Sequence, residues 1–184
     1  NQNEYGGYLP LELDASGDEY YGSTATFNVD KLNSGRATFY FAAKQAKLKC
    51  IYLPFFTCEQ TEIPFRRLGV EIKKYFLTGG LLPQDVTLEP DEFILWTNYY
   101  GNASDADVDF VLHEYKNVII DNSHAFFAPP RAGAFNCYSA RKFFGVCDGA
   151  YLIKDTKYSP LNIRIDTSFA HVSHLIKQID TGIN

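Results

Sequence analysis

The run Val118-Ile119-Ile120, closed by Asp121, constrains the fold more than any other segment of the chain. Three consecutive β-branched residues read as a short strand that is apolar toward both faces. Such strands belong to sheets covered on both sides, as parallel sheets are when helices pack above and below them. Residues 50–53 (ended by Pro54), 92–97, 134–138 and 150–153 read as further strands, and residues 70–76 alternate in a strand pattern. Residues 36–48 and 105–115 read as helices, and residues 58–68 as a helix interrupted near Pro64. Past Asp155 the pattern weakens, with one more helix expected over residues 169–179. Gly6-Gly7 and Ser16-Gly17 mark about the first thirty residues as an irregular arm, and Thr78-Gly79-Gly80 with Pro83 marks a loop. The alternation of strands and helices predicts an α/β fold: a mainly parallel mixed sheet flanked by helices. A length of 184 residues suits a single domain.

Composition narrows the partners. A formal net charge of −5 argues against nucleic acid, which prefers basic stripes. No apolar run approaches the roughly 18 residues that would suggest a membrane span. Cys50, Cys58, Cys137 and Cys147 show no C-x-x-C spacing, so reduced thiols are expected rather than disulfides or a zinc site. No secretory leader is visible, and the expected location is the cytoplasm. The 15 Phe and 13 Tyr serve mainly as core, with some available to line a pocket for a planar ligand or a sugar.

Ligands of such sheets sit beyond the carboxyl ends of the strands. Asp121, Asn98 and residues 55–58 all lie just past strand candidates. Asn33-Ser34-Gly35-Arg36 precedes a helix, whose free N–H groups and positive dipole end suit a phosphate; the same residues also read as a simple cap. Asp121 could pair with a cationic ring nitrogen or merely form a turn. His124, three residues on, could donate to a ring oxygen or phosphate, or be structural. Lys142 lies in Ser139-Ala140-Arg141-Lys142-Phe143-Phe144-Gly145. An isolated lysine is usually solvated, but one beside apolar residues can have its pKa lowered, which favours Schiff-base formation. A lysine after a hydroxyl residue, with an aspartate ending an earlier buried strand, suggests pyridoxal phosphate chemistry. That cofactor needs an amine and a carboxylate at its pyridine nitrogen.

Taken in order, these residues resemble the DegT/DnrJ/EryC1/StrS family of pyridoxal-phosphate-dependent sugar aminotransferases, over about Tyr5 to Asp155. Asn33-Ser34-Gly35-Arg36-Ala37 is similar to the family's Ser-Gly-Thr-Ala turn, with Arg36 in place of the threonine. Leu53-Pro54-Phe55-Phe56-Thr57-Cys58 is similar to Pro-x-x-Thr-Phe, with Cys58 in the approximate place of the ring that covers the cofactor. Asn98-Tyr99-Tyr100-Gly101 resembles His-x-x-Gly, and Asp121-Asn122-Ser123-His124 resembles Asp-Ala-Ala-Gln/His. Lys142 matches the Schiff-base lysine. Cys137 stands where the family often has its phosphate-binding serine, and Ser139 fits the wider Ser-x-x-Lys spacing.

The resemblance implies a fold-type I large domain that binds pyridoxal 5'-phosphate through Ser34, Gly35, Arg36, Cys58, Asn98, Asp121, His124, Ser139 and Lys142. Asp121 and Lys142 would be catalytic, with no metal. It implies a homodimeric aminotransferase acting on a keto-sugar, nucleotide-linked, in surface-polysaccharide or secondary-metabolite synthesis, with a donor such as glutamate. A lysine at 142, where dehydratase relatives have histidine, points to transamination. Family members add a smaller C-terminal domain, so residues 1–184 read as the large domain with that domain absent or truncated. The rival expectation is a non-catalytic or cofactor-binding-only remnant of the fold that serves as a binding module. An unrelated α/β protein using Asp121 for a metal ranks last, because no ligand spacing accompanies it.

Overall fold

The computed structural model describes residues 19–164 and 171–173. Its strands are β1 (Phe27–Leu32), β2 (Cys50–Pro54), β3 (Glu71–Leu77), β4 (Pro83–Gln84), β5 (Phe93–Thr97), β6 (Val118–Asn122), β7 (Ala134–Ser139) and β8 (Ala150–Asp155). Its helices are α1 (Gly35–Ala46), α2 (Glu62–Arg67) and α3 (Asp105–Glu114). The strands form one sheet in the order β1-β8-β7-β6-β5-β2-β3-β4. From β3 across to β7 the pairing is parallel; β8 runs antiparallel to both β7 and β1, and β4 is a short antiparallel edge. The expected α/β architecture with a mainly parallel mixed sheet is the one observed.

β6 lies inside the sheet with all five residues buried. Its alternation sorts the core. Ile119 joins Leu53, Leu95 and Leu152 beneath α1 and α2, where Phe39, Ala42, Ala43 and Phe65 pack. Val118 and Ile120 join Ile94 and Trp96 on the opposite face against Val108 and Val111 of α3. This two-sided burial is why the β-branched run is continuous rather than alternating.

Helix boundaries have local causes. Ser34 caps α1, its Oγ accepting the Ala37 N–H at 3.3 Å, and Lys47 ends the helix in the left-handed region at φ 53°. Ser104 and Asp107 form a capping box on α3, and Asp105 and Asp107 suit the positive end of its dipole. Pro64 does not interrupt α2. It sits in the first turn, where its missing N–H would have had no helical partner. The preceding residues Glu59–Thr61 form a 3-10 turn instead of α-helix.

β1 and β4 correct the sequence reading, which placed residues 27–30 in an irregular arm and residues 83–84 in a loop. β1 is held by a partner far along the chain. Lys154 is fully buried and pairs with the largely buried Asp30, whose other oxygen accepts the Leu161 N–H at 2.8 Å. The helix expected over residues 169–179 falls largely outside the described residues. Among the described residues no helix is long and apolar enough to cross a membrane.

The Asp30–Lys154 pair yields a prediction. Replacing one partner of a buried pair leaves the other charge uncompensated, at a cost of about 3–5 kcal/mol. Lys154→Met is expected to lower the unfolding free energy by about that amount in urea titrations. The double variant Asp30→Asn/Lys154→Met should recover part of the loss.

Candidate active site

The antiparallel strand β8 brings two distant turns together. Ala150 pairs with Leu32 of β1 on one side and with Ser139 of β7 on the other, so the turns after β1 and β7 open at the same edge. The parallel strands β2, β5 and β6 end there too. Residues from the segments 34–36, 56–58, 97–100, 121–124 and 139–142 at these strand ends, Asn98, Asn122 and Ala140 excepted, surround a cleft of about 850 Å3. That volume suits a small molecule or cofactor.

Eight of the nine expected contact residues line this cleft: Ser34, Gly35, Arg36, Cys58, Asp121, His124, Ser139 and Lys142. Asn98 does not. It is buried behind the wall, where its Nδ2 donates to Asn122 Oδ1 at 3.3 Å and its Oδ1 accepts the Ala103 N–H at 3.3 Å. Its amide is spent on joining two turns, so the geometry gives it no ligand contact.

One end of the cleft is built for an anion. The start of α1 turns the positive end of its dipole to the cleft, with the Ala37 and Thr38 N–H groups taken by Ser34, and Arg36 adds a cation in that first turn, where no acidic residue stands. A Cβ on Gly35 would lie 3.5 Å from Ser123 Oγ and 3.6 Å from Ser139 Cβ. The missing side chain thus leaves a cradle between two hydroxyl residues. Ser139 was expected here. Cys137, at the alternative position, is wholly buried in the core, where burial pushes its thiol pKa up.

Asp121 ends the buried strand with only 6% of its surface exposed. Its Oδ1 accepts the Ser123 N–H at 2.9 Å, closing the turn that carries His124. The imidazole of His124 lies parallel to the Tyr100 ring, with centroids 5.6 Å apart and planes at 10°. Among the described residues nothing hydrogen-bonds its buried Nδ1. Burial holds the His124 pKa below 6.5, Lys142 pushes it the same way, and Asp121 opposes them.

Lys142 ends a 3-10 turn, Ala140–Lys142, and its side chain is exposed at the rim. The neighbouring Phe143 and Phe144 rings pack against Phe126 and Phe127. Cys58 is exposed on the opposite wall. Beside it the Phe56 ring stacks on Tyr99 at 5.5 Å, and the Tyr99 hydroxyl donates to the Phe56 carbonyl. Burial pushes the Tyr99 hydroxyl to about 12. Arg36 donates to Gln60 Oε1 at 2.5 Å along the same wall.

Sequence reasoning did not select Tyr100, Ser123 or Arg141, which also line the cleft. Ser123 could have been found from its place inside the Asp121 turn, and Arg141 from its place beside Lys142. Tyr100 carries no sequence signal that separates it from the other aromatics. The lining sets the cations Arg36, Arg141 and Lys142 against one buried carboxylate in a chain of net charge −5. Pyridoxal phosphate fits these residues: a cradle and helix start for its phosphate, a carboxylate for its ring nitrogen, and an amine within the same cleft. Among the described residues no group of three or more His, Cys, Asp or Glu side chains could hold a metal ion.

No family profile and no curated protein matches the chain in sequence. Solved structures match it in fold. The histidinol-phosphate aminotransferase of Clostridium acetobutylicum superposes with a TM-score of 0.58 at 16% identity, over 71% of this chain and 46% of that one. The sugar aminotransferase CalS13 of Micromonospora echinospora gives 0.53 at 21% identity, over 67% of this chain and 41% of that one. NtdA of Bacillus subtilis, solved with its bound cofactor PMP, gives 0.53 at 18% identity, over 68% and 33%. The chain thus has the fold-type I architecture of these proteins and spans less than half of each.

The depressed His124 pKa has a consequence with a definite sign. A histidine kept neutral by folding stabilises the protein above its ordinary pKa of 6.5, and that contribution is lost as pH falls through the lower folded-state value. Stability measured in urea from about pH 8 to about pH 5 should therefore fall more steeply in the parent protein than in His124→Gln.

Proposed function

We propose that this chain is the cofactor-binding domain of a pyridoxal-phosphate-dependent aminotransferase resembling the DegT/DnrJ/EryC1/StrS family. Its substrate would be a keto-sugar, nucleotide-linked, in surface-polysaccharide or secondary-metabolite synthesis, with glutamate or a similar amino donor. The reading includes a single domain over residues 1–184, a cytoplasmic location and a homodimer. The observation that carries it is the convergence of Asp121, Lys142 and the Gly35 cradle on one cleft.

Bound in this cleft, pyridoxal phosphate supplies an electron sink for charge developing on the carbon next to the transferred nitrogen. The chain's own residues do the rest. Ser123, Ser139 and the N–H groups at the start of α1 bind the phosphate and fix the depth of the ring. Asp121, held by the Ser123 N–H, accepts a hydrogen bond from a protonated ring nitrogen and keeps that proton in place. His124, neutral near pH 7, orients the ring by hydrogen bonding. Lys142, exposed on its short turn, has the freedom to hold the cofactor, let it go, and carry a proton between neighbouring atoms. Arg36 and Arg141 draw in anionic substrates, such as a carboxylate donor or a sugar diphosphate.

A second reading, cofactor binding without turnover, is favoured by Cys58, which puts a small thiol where the family has a covering ring. One experiment separates the two. Protein incubated with pyridoxal phosphate and fixed with borohydride is expected to carry the adduct on Lys142 by peptide mass spectrometry, and Lys142→Ala should carry none. In a separate, unreduced sample of the cofactor-loaded parent protein, added glutamate should yield 2-oxoglutarate. Adduct without 2-oxoglutarate selects the binding-only reading, and no adduct overturns both. Gly35→Ala fills the cradle without a clash and is expected to weaken cofactor affinity about tenfold, the loss of one phosphate hydrogen bond, while the melting temperature stays near that of the parent.

A further inference from the structure

The turn after β5 holds a residue for which the mechanism above has no use. Tyr100 has φ 58° and ψ 12°, a left-handed conformation that bulky residues rarely adopt. It is 65% exposed, and its ring stacks parallel to His124 with centroids 5.6 Å apart, an offset arrangement. The turn that carries it is locked to the turn that carries His124. The Asn98 N–H donates to the Asp121 carbonyl at 3.0 Å, and the Asn98 side chain donates to Asn122 at 3.3 Å. Gly101, at φ +69°, presses close enough that a Cβ there would meet the His124 carbonyl and the Ala125 Cβ at 3.7 Å. Strain held in place by such packing is characteristic of functional sites.

We infer that Tyr100 is a positioning residue whose ring clamps the His124 imidazole in one orientation against the wall of the cleft. The clamp covers one face of the imidazole and helps to enclose Nδ1. Two charged groups act on His124, Asp121 from its own turn and Lys142 from the turn after β7, while Tyr100 from the turn after β5 would share in its burial. The consequence for cofactor affinity rests on the proposed function; the clamp itself does not.

The test uses Tyr100→Gly, which keeps the left-handed backbone without strain and removes the ring, and Tyr100→Phe, which keeps the ring. His124 is titrated by NMR in the cofactor-free protein. Its midpoint is expected to rise toward 6.5 in Tyr100→Gly and to stay at the parent value in Tyr100→Phe. Pyridoxal phosphate affinity, followed by absorbance, should weaken several-fold in the glycine variant alone. An unmoved His124 midpoint in Tyr100→Gly overturns the inference, as does a phenylalanine variant that behaves like the glycine one. If the parent protein binds no pyridoxal phosphate, the functional reading fails, and the cofactor-free titration still decides the role of Tyr100.

Discussion

A parallel strand enclosed on both faces can present polar groups only where it ends, and β6 is such a strand. Val118, Ile119 and Ile120 divide between two apolar layers, and the first acidic group along the strand is Asp121, at the carboxyl edge. Across the sheet Asp121 pairs with Thr97 of β5 on one side and Cys137 of β7 on the other. A carboxylate in that row is tolerable because a backbone N–H bonds it and a polar cleft adjoins it. The fold therefore delivers a largely buried, fixed negative charge to a single point, and the cations of the cleft are arranged around it.

The antiparallel β8 determines what faces that charge. Because β8 runs opposite to β7 and β1, those two strands point the same way and end side by side. The start of α1 then stands beside Ser139 although more than a hundred residues separate them in sequence. The Asp30–Lys154 pair ties β1 to β8 from within. A buried pair of this kind is weak evidence for net stability, but it penalises any register that separates its members. Correct pairing of β1 with β8 is what places the Gly35 cradle opposite Ser123 and Ser139.

The parts of this arrangement that were legible in the sequence are those set by local chemistry. The β-branched run of β6, the capped start of α1 and the spacing of Ser139 and Lys142 are each readable within a few residues. β1 was not readable, because Phe-Asn-Val-Asp-Lys-Leu looks half polar until Lys154 is known to receive Asp30. Pro64 misled because a proline signals a break unless the helix start is known to within a residue. Asn98 shows a related ambiguity: a polar residue just past a strand can serve a ligand or a neighbouring turn, and here its amide bonds Asn122 and the Ala103 N–H. Tyr100 was invisible because its importance lies in a backbone angle and a ring across the cleft, neither of which composition records.

Two of the departures from the resembled family, Cys58 and Arg36, act at different places in the cleft, and their magnitudes differ. Losing a covering ring at Cys58 forfeits about 0.5–1.5 kcal/mol of aromatic contact beyond simple burial. A hydrogen bond from a charged group such as Arg36 contributes about 1.5–3 kcal/mol. On the proposed reading that contribution goes to anionic substrates, so the cover missing at Cys58 would not be made up there. A ring held at its phosphate by Ser123 and Ser139 and at its nitrogen by Asp121 would lack aromatic cover at Cys58. Its orientation would then rest more heavily on His124, which the Tyr100 ring flanks from a left-handed turn.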